Sequence, residues 1–508
     1  MAARVPLDSA SPMSKVEQRI AEIERLIASG QSERAEETAS ALMALYRRDP
    51  AVWIARGHAR LELRRLSQAE SDFAQALRLA PSNRRAIVMR AMALHEMNRP
   101  DEAIELVRRL VAFGGPEAED ASLMLASILN WAGRGDELAE FVDRGGSWLS
   151  NPRAVTFRAQ VLAKRDMPAA IAMLLEVVDG DAPAELRRVV GFQAVVLLDR
   201  AGRFREAFDL ATRLHRTTGG RFDLQAVRAH VESQRDAILR GSARIQPAAP
   251  SVPGLAMVVA LPRSGTTLLE QMLDCHPQVA GIGEHAGLNG IGTSLRAAGA
   301  WHDGVAAPDG ALARRLQEQY LAGARDRARP GARCLVDKTL SAWMWLPAVA
   351  AVLPGTACFH VSRDPRDLAV SQFLGVFETN AFNQSMESIR EFIALERSIL
   401  PALLPALGLC HEPLVYEDMV ADPRAAAIHC LDLLGLPMDD AVLAPERNRR
   451  LVYTLSNEQV RRSINSTSIG RWKNYGFAFD GSWDELAALH DACRAQSVAI
   501  ARLDSGGR

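Results

Sequence analysis

Apolar and polar positions follow two different periods along this chain, and the change falls near its middle. Through the N-terminal half, apolar and small residues recur at helical spacing. Trp53, Gly57, Ala69, Phe73, Ala76 and Pro81 fall where two antiparallel helices would cross, with small residues at the contact. Ala35, Ala69 and Ala103 lie 34 residues apart. The segment DRAGRFREAFDLA (199–211) repeats the pattern, with Ala207 and Ala211 in equivalent places. Between 116 and 180 the pattern degenerates, with Gly133 and Asp166 as turn sites. The spacing predicts about five or six helical hairpins from residue 15 to about 218. Phe222–Leu239 reads as one further helix.

The segment GSARIQPAAPSVPG (241–254) has three prolines and two glycines in 14 residues, so it reads as a linker. Beyond it, apolar and β-branched runs take over. Met257–Ala260, Cys334–Val336 and Ala357–Val361 have the composition of buried parallel strands. The first leads into Arg263, Ser264, Gly265, Thr266 and Thr267, after which Leu268, Leu269, Met272 and Leu273 return to helical spacing. A strand, a tight loop and a helix start aim backbone N–H groups and a positive dipole end at an anion. The loop departs from the nucleotide-hydrolase form G-x-x-x-x-G-K-[ST], because Thr266 follows Gly265 and the cation, Arg263, precedes it. At the tip of the third strand stands Arg363; Asp364-Pro365 then signals a helix start, and Ser371 lies eight positions after Arg363. A guanidinium fork and a hydroxyl so placed could clamp one phosphate from two sides.

Composition narrows the classes. The chain has 508 residues, too many for one compact domain, and 48% are apolar. The net charge of −1 gives no sign of bulk nucleic-acid binding. Met1 to Ser14 lacks the apolar core of a signal peptide, and no apolar run is long enough to span a membrane. Six cysteines, at 275, 334, 358, 410, 430 and 493, form no C-x-x-C pair or zinc pattern. Free thiols in a cytoplasmic protein are the simplest account.

The helical half resembles tetratricopeptide repeats, whose period is also 34 residues. Stacked hairpins of that kind leave a concave groove suited to a peptide or protein. The LPRSGTT loop and the Arg363…Ser371 pair resemble the sulfotransferase family. Also similar are EPLVYEDMVADP (412–423), LDLLGLP (431–437) and TSIGRWKNYG (467–476). The likeness covers about Met257 to Tyr475, and it is to bacterial sulfotransferases with tetratricopeptide repeats and to the core of tyrosylprotein sulfotransferases. It implies an N-terminal repeat solenoid over 15–240, the linker 241–254, and a P-loop-like α/β sulfotransferase domain with a parallel sheet over 255–508. It implies 3′-phosphoadenosine 5′-phosphosulfate (PAPS) as donor, and no metal.

By this resemblance, Arg263 and residues 264–267 hold the 5′-phosphosulfate, and Arg363 and Ser371 the 3′-phosphate. Ser468, Gly470 and Lys473 would close over the nucleotide. Glu284 is the expected base, with His285 as runner-up because its ordinary pKa is nearer neutrality. Lys338 would stabilise charge on the bridging oxygen; the plainer reading is a solvated lysine at a strand end, with the adjacent Asp337 simply its ion-pair partner. Tyrosylprotein enzymes carry arginines soon after their catalytic glutamate; here Ala286, Gly287, Leu288, Asn289 and Gly290 follow, and Arg296 is the first arginine. Acidic tyrosine peptides are therefore not the default acceptor, and the acceptor hydroxyl stays open between a small molecule, a glycan, a lipid head group and a tyrosine of a differently sequenced protein. The competing readings are a catalytically inactive repeat scaffold and a P-loop nucleotide phosphotransferase.

Overall fold

The computed structural model describes residues 14–492 and 494, apart from 116, 218–221, 242–244, 303, 378–380, 449 and 451–461. The chain divides into two compact units, residues 1–128 and 129–508.

The first unit contains three helical hairpins: Lys15–Ala28 with Ser32–Leu45, Pro50–Glu62 with Leu66–Leu79, and Arg84–Glu96 with Pro100–Phe113. Ala35, Ala69 and Ala103 occupy the same place on the second helix of each pair and are fully buried. Gly57 permits the closest approach: a Cβ there would sit 2.6 Å from the Phe73 ring. Asp49 and Asn83 accept from the first-turn amides of the helices they precede, which starts each hairpin at a fixed residue. Asp72, almost wholly buried, is held by Arg56 (2.6 and 2.9 Å) and by Arg60 (2.9 Å). Pairing of this quality is what makes a buried carboxylate tolerable.

The second unit begins with more helices of the same kind. They include Val155–Leu162, Met167–Asp179, Ala184–Arg200 and Phe204–Thr217, followed by Leu224–Leu239. Asp166 caps Met167–Asp179, and Gly133 takes a left-handed turn at φ 68°. Ala207 and Ala211 are fully buried, and a Cβ on Gly191 would lie 2.7 Å from Leu214.

Five strands then form one parallel sheet: β1 (Leu255–Val259), β2 (Val279–Gly283), β3 (Cys334–Asp337), β4 (Ala357–Ser362) and β5 (His411–Val415). Their order is β2-β3-β1-β4-β5. The central strand reads Leu-Ala-Met-Val-Val and is buried on both faces, while Pro413 is confined to the edge strand β5. The chain leaves β1 for the β2 edge, returns through β3, and crosses to β4. The carboxyl end of β1 is therefore a switch point, where open α/β sheets gather ligands.

One hydrophobic core runs from Val155 and Val195 through Met257 and Val349 to Phe373 and Leu403. The segment 241–254 thus marks a change from helix to sheet, while the core continues across it. That segment is itself fastened, with Ala248 N–H donating to Ala351 (2.8 Å) and Val252 N–H to Pro354 (2.7 Å). Among the described residues, no helix is long and apolar enough to cross a membrane.

Candidate active site

The loop after β1 curls because two residues adopt left-handed backbone, Arg263 (φ 73°) and Gly265 (φ 99°). At Arg263 this costs energy and marks a constrained site. At Gly265 it is required twice, since a Cβ would also run into the Tyr416 ring. The helix Thr266–Asp274 starts there with no side-chain cap on its N-terminus. Gln372 Nε2 donates to Pro262 O (2.8 Å), fixing the loop against the helix Pro365–Phe373 that follows β4.

That helix supplies the next group of side chains at the end of β1. Asp364 caps its start, accepting from Arg366 N (2.8 Å). Ser371 lies in its last turn, and its Oγ accepts from Arg263 Nε at 2.9 Å. Arg363, only 6% exposed, donates from Nη1 to Arg263 O (2.9 Å) and from Nη2 to Ser468 O (2.6 Å). Its guanidinium lies 4.6 Å from the Tyr416 ring centroid, and its Nε is buried without a hydrogen-bond partner. Burial, then the nearby Arg363 and Arg471, pull the Arg263 guanidinium below its ordinary value, to about 9. It stays cationic at neutral pH, and an anion beside it would relieve that strain.

These groups open on a cleft lined by Arg263, Gly265, Thr267, Leu268, Arg363 and Tyr416 on one side. Arg462, Ser463, Ile464, Asn465, Thr467 and Ser468 line the other. Three arginines and no carboxylate stand among these lining residues. Ser264 and Thr266 are buried in the loop beside the cleft, and Ser371 reaches it through Arg263.

The C-terminal segment is fixed by Asp367, whose oxygens accept from Gly470 N (2.6 Å) and Trp472 N (2.7 Å). The Gly470 amide is therefore committed to a protein partner, and Lys473 is exposed and does not line the cleft. Among the described residues of this part of the chain, Arg462 is the basic residue that lines the cleft. Further along, Arg471 and Tyr475 both bind Asp199, each at 2.6 Å, at the end of the helix Ala184–Arg200.

Glu284 and Lys338 stand at the same edge of the sheet, just beyond β2 and β3. These strands pair in register at Gly283 and Asp337, and Lys338 N donates to Gly283 O at 2.9 Å. The Lys338 ammonium, nearly buried, meets Glu284 Oε1 at 2.8 Å, while the Glu284 side chain is half exposed. Asp337 is not the partner of Lys338. Successive residues at a strand end face opposite ways, so Asp337 turns inward to Tyr320 and Thr339. The same alternation separates Glu284 from His285, whose ring packs in the core against Tyr320 at 4.9 Å.

Tyr416, Asp367, Gln372 and Arg462 were not evident in the sequence as site residues. Tyr416 lay within the YEDMVADP segment, but only the β4–β5 pairing brings it under Gly265.

Residues 256–440 match the sulfotransferase family, and residues 60–114 match the tetratricopeptide repeat. The chain thus joins tetratricopeptide repeats to a sulfotransferase-family domain. It is 28% identical over 235 residues to an uncharacterized protein of Aquifex aeolicus, covering 43% of this chain and 30% of that protein. The match thus spans under a third of that relative's length. Among solved structures it is similar to the sulfotransferase domain of the Synechococcus PCC 7002 olefin synthase, at 19% identity and TM-score 0.30, over 46% of this chain and 97% of that one. It is also similar to the sulfotransferase STF9 of Mycobacterium avium, at 15% identity and TM-score 0.26, over 61% of this chain and 95% of that one.

Proposed function

We propose that the protein transfers a sulfuryl group from PAPS to an acceptor hydroxyl. The observation carrying this reading is the cleft at the end of β1, with three arginines and no carboxylate among its lining residues. On this reading Arg263, the loop amides of Ser264 and Gly265, and the hydroxyls of Thr266 and Thr267 hold the 5′-phosphosulfate. Arg363 and Ser371 hold the 3′-phosphate, and Arg462 adds charge at the rim.

The reaction is an in-line displacement. The acceptor oxygen attacks sulfur while the bond from sulfur to the bridging phosphosulfate oxygen breaks, and adenosine 3′,5′-bisphosphate leaves. Such loose transfers depend on positioning and electrostatics more than on covalent chemistry by the protein. Lys338 donates to the bridging oxygen as negative charge gathers there. Glu284 takes the acceptor proton, and its exposed carboxylate suits that role better than the inward ring of His285. The repeats offer a surface for a peptide or protein partner. The free Cys275, Cys334, Cys358, Cys410 and Cys430 suit a cytoplasmic setting.

Calorimetric titration with adenosine 3′,5′-bisphosphate, AMP and ATP tests the donor class without knowing the acceptor. The bisphosphate should bind with AMP and ATP much weaker. Equal binding of all three, or a preference for ATP, would return the loop to phosphotransferase chemistry.

A further inference from the structure

Glu284 and Lys338 stand where β2 and β3 part: the last backbone bond between the strands runs from Lys338 N to Gly283 O (2.9 Å), and beyond it the two chains continue as separate loops. Past that bond the two loops are joined by Thr339. Its Oγ1 accepts from His285 N at 2.9 Å and lies 2.6 Å from Asp337 Oδ1. The carbonyl of His285 lies 2.9 Å from the same hydroxyl. A threonine hydroxyl has one proton, and a carboxylate is the stronger acceptor, so the proton goes to Asp337. Asp337 is fully buried and also accepts from Thr339 N (2.8 Å) and from Tyr320 Oη (2.5 Å). One hydroxyl therefore ties the residue after Glu284 to a rigid carboxylate immediately before Lys338.

We propose that Thr339 is a positioning residue for sulfuryl transfer: its hydroxyl, fixed by Asp337, holds the loops of Glu284 and Lys338 in working register. This rests on the sulfotransferase reading above. Thr339 touches neither reactant. It acts by fixing where the proton acceptor and the ammonium stand relative to each other. Displacements of about 1 Å in such pairs cost on the order of 100-fold in rate. The donor cleft has no share in this network, since neither Thr339 nor Asp337 lines it.

The test uses the full chain, PAPS labelled on sulfur, and 2-naphthol as acceptor, with hydrolysis of PAPS by water followed in parallel. Thr339→Val keeps the shape and removes the hydroxyl. It should lower kcat by about 10–100-fold, while KM for PAPS and affinity for adenosine 3′,5′-bisphosphate stay within about 2-fold. Thr339→Ser should restore most of the rate. An unchanged kcat in the valine variant, a loss carried by donor affinity, or failure of serine to rescue would each overturn the assignment. Should the valine variant not fold, hydrogen exchange in the wild type decides. The His285 amide must be protected in spite of lying past the strand end, and exchange at an open-loop rate would overturn the link. A wild-type protein that neither binds the bisphosphate nor consumes PAPS would instead overturn the underlying reading.

Discussion

Replacing Arg363 by alanine separates the proposed 3′-phosphate contact from general support of the cleft. The side chain is almost fully buried and makes two hydrogen bonds to carbonyls, at Arg263 and Ser468, while its Nε has no partner. Losing the strut to Ser468 loosens the C-terminal wall and costs every ligand about 1 kcal/mol. Losing a charge-assisted contact to phosphate in a desolvated site adds on the order of 2–4 kcal/mol. That second part falls only on ligands bearing a 3′-phosphate. Bisphosphate affinity should therefore drop about 30–1000-fold more than AMP affinity. Arg363→Lys should fall between, since it keeps the charge and loses the fork. Calorimetry on the wild type and both variants, with both ligands, measures the difference directly. If bisphosphate and AMP weaken equally in Arg363→Ala, the 3′-phosphate lies elsewhere and the reasoning fails.

Glu284→Gln should leave bisphosphate binding intact and reduce turnover about 10²–10⁴-fold; near-normal turnover of labelled PAPS would remove the base from that position. Deleting residues 1–128 should leave a folded donor-binding fragment, whereas deleting 1–240 strips helices from a shared core and should yield insoluble or molten protein. A cooperative melt from the shorter fragment would refute that reading. Burial raises the Asp337 carboxyl from 3.8 to about 6. The folded state therefore binds its proton more tightly, and this group's stabilisation, full below pH 3.8, is lost as pH rises through about 6. The stability of Asp337→Asn relative to wild type should thus rise by up to about 3 kcal/mol between pH 4 and 7. Denaturant melts at both pH values check this, and a flat or falling difference would refute it.

What the sequence made legible were features carried by neighbouring residues. The 34-residue spacing of Ala35, Ala69 and Ala103 marks three equivalent buried crossings. The loop at Arg263–Thr267 and the Arg363–Ser371 pair meet because parallel neighbours bring their strand ends together. Less legible was anything decided by strand order or by facing. Tyr416 reaches Gly265 only because β5 lies beside β4. Asp337 and Lys338 are adjacent in sequence, yet they serve opposite sides of the sheet. The GRWKNY segment is equally compatible with a lid lysine and with a Trp-anchored turn whose basic residues face solvent; Trp472 and Tyr475 anchor that turn, and Lys473 between them is exposed. Nor does spacing reveal that the helices before 241–254 share the sheet's core, since helical periodicity shows that a face is buried, and not against what.

The attachment of Arg471 and Tyr475 to Asp199 has a mechanical consequence. Asp199 lies at the end of a repeat-type helix, and only two residues separate Arg471 from Ser468, whose carbonyl Arg363 grips. A displacement of that helix end is carried through a short, tightly turned length of backbone, pinned at Gly470 and Trp472 by Asp367, to the arginine that lines the cleft. Leverage applied among the helices of the second unit and the set of the arginine cleft are thus two ends of one short tether.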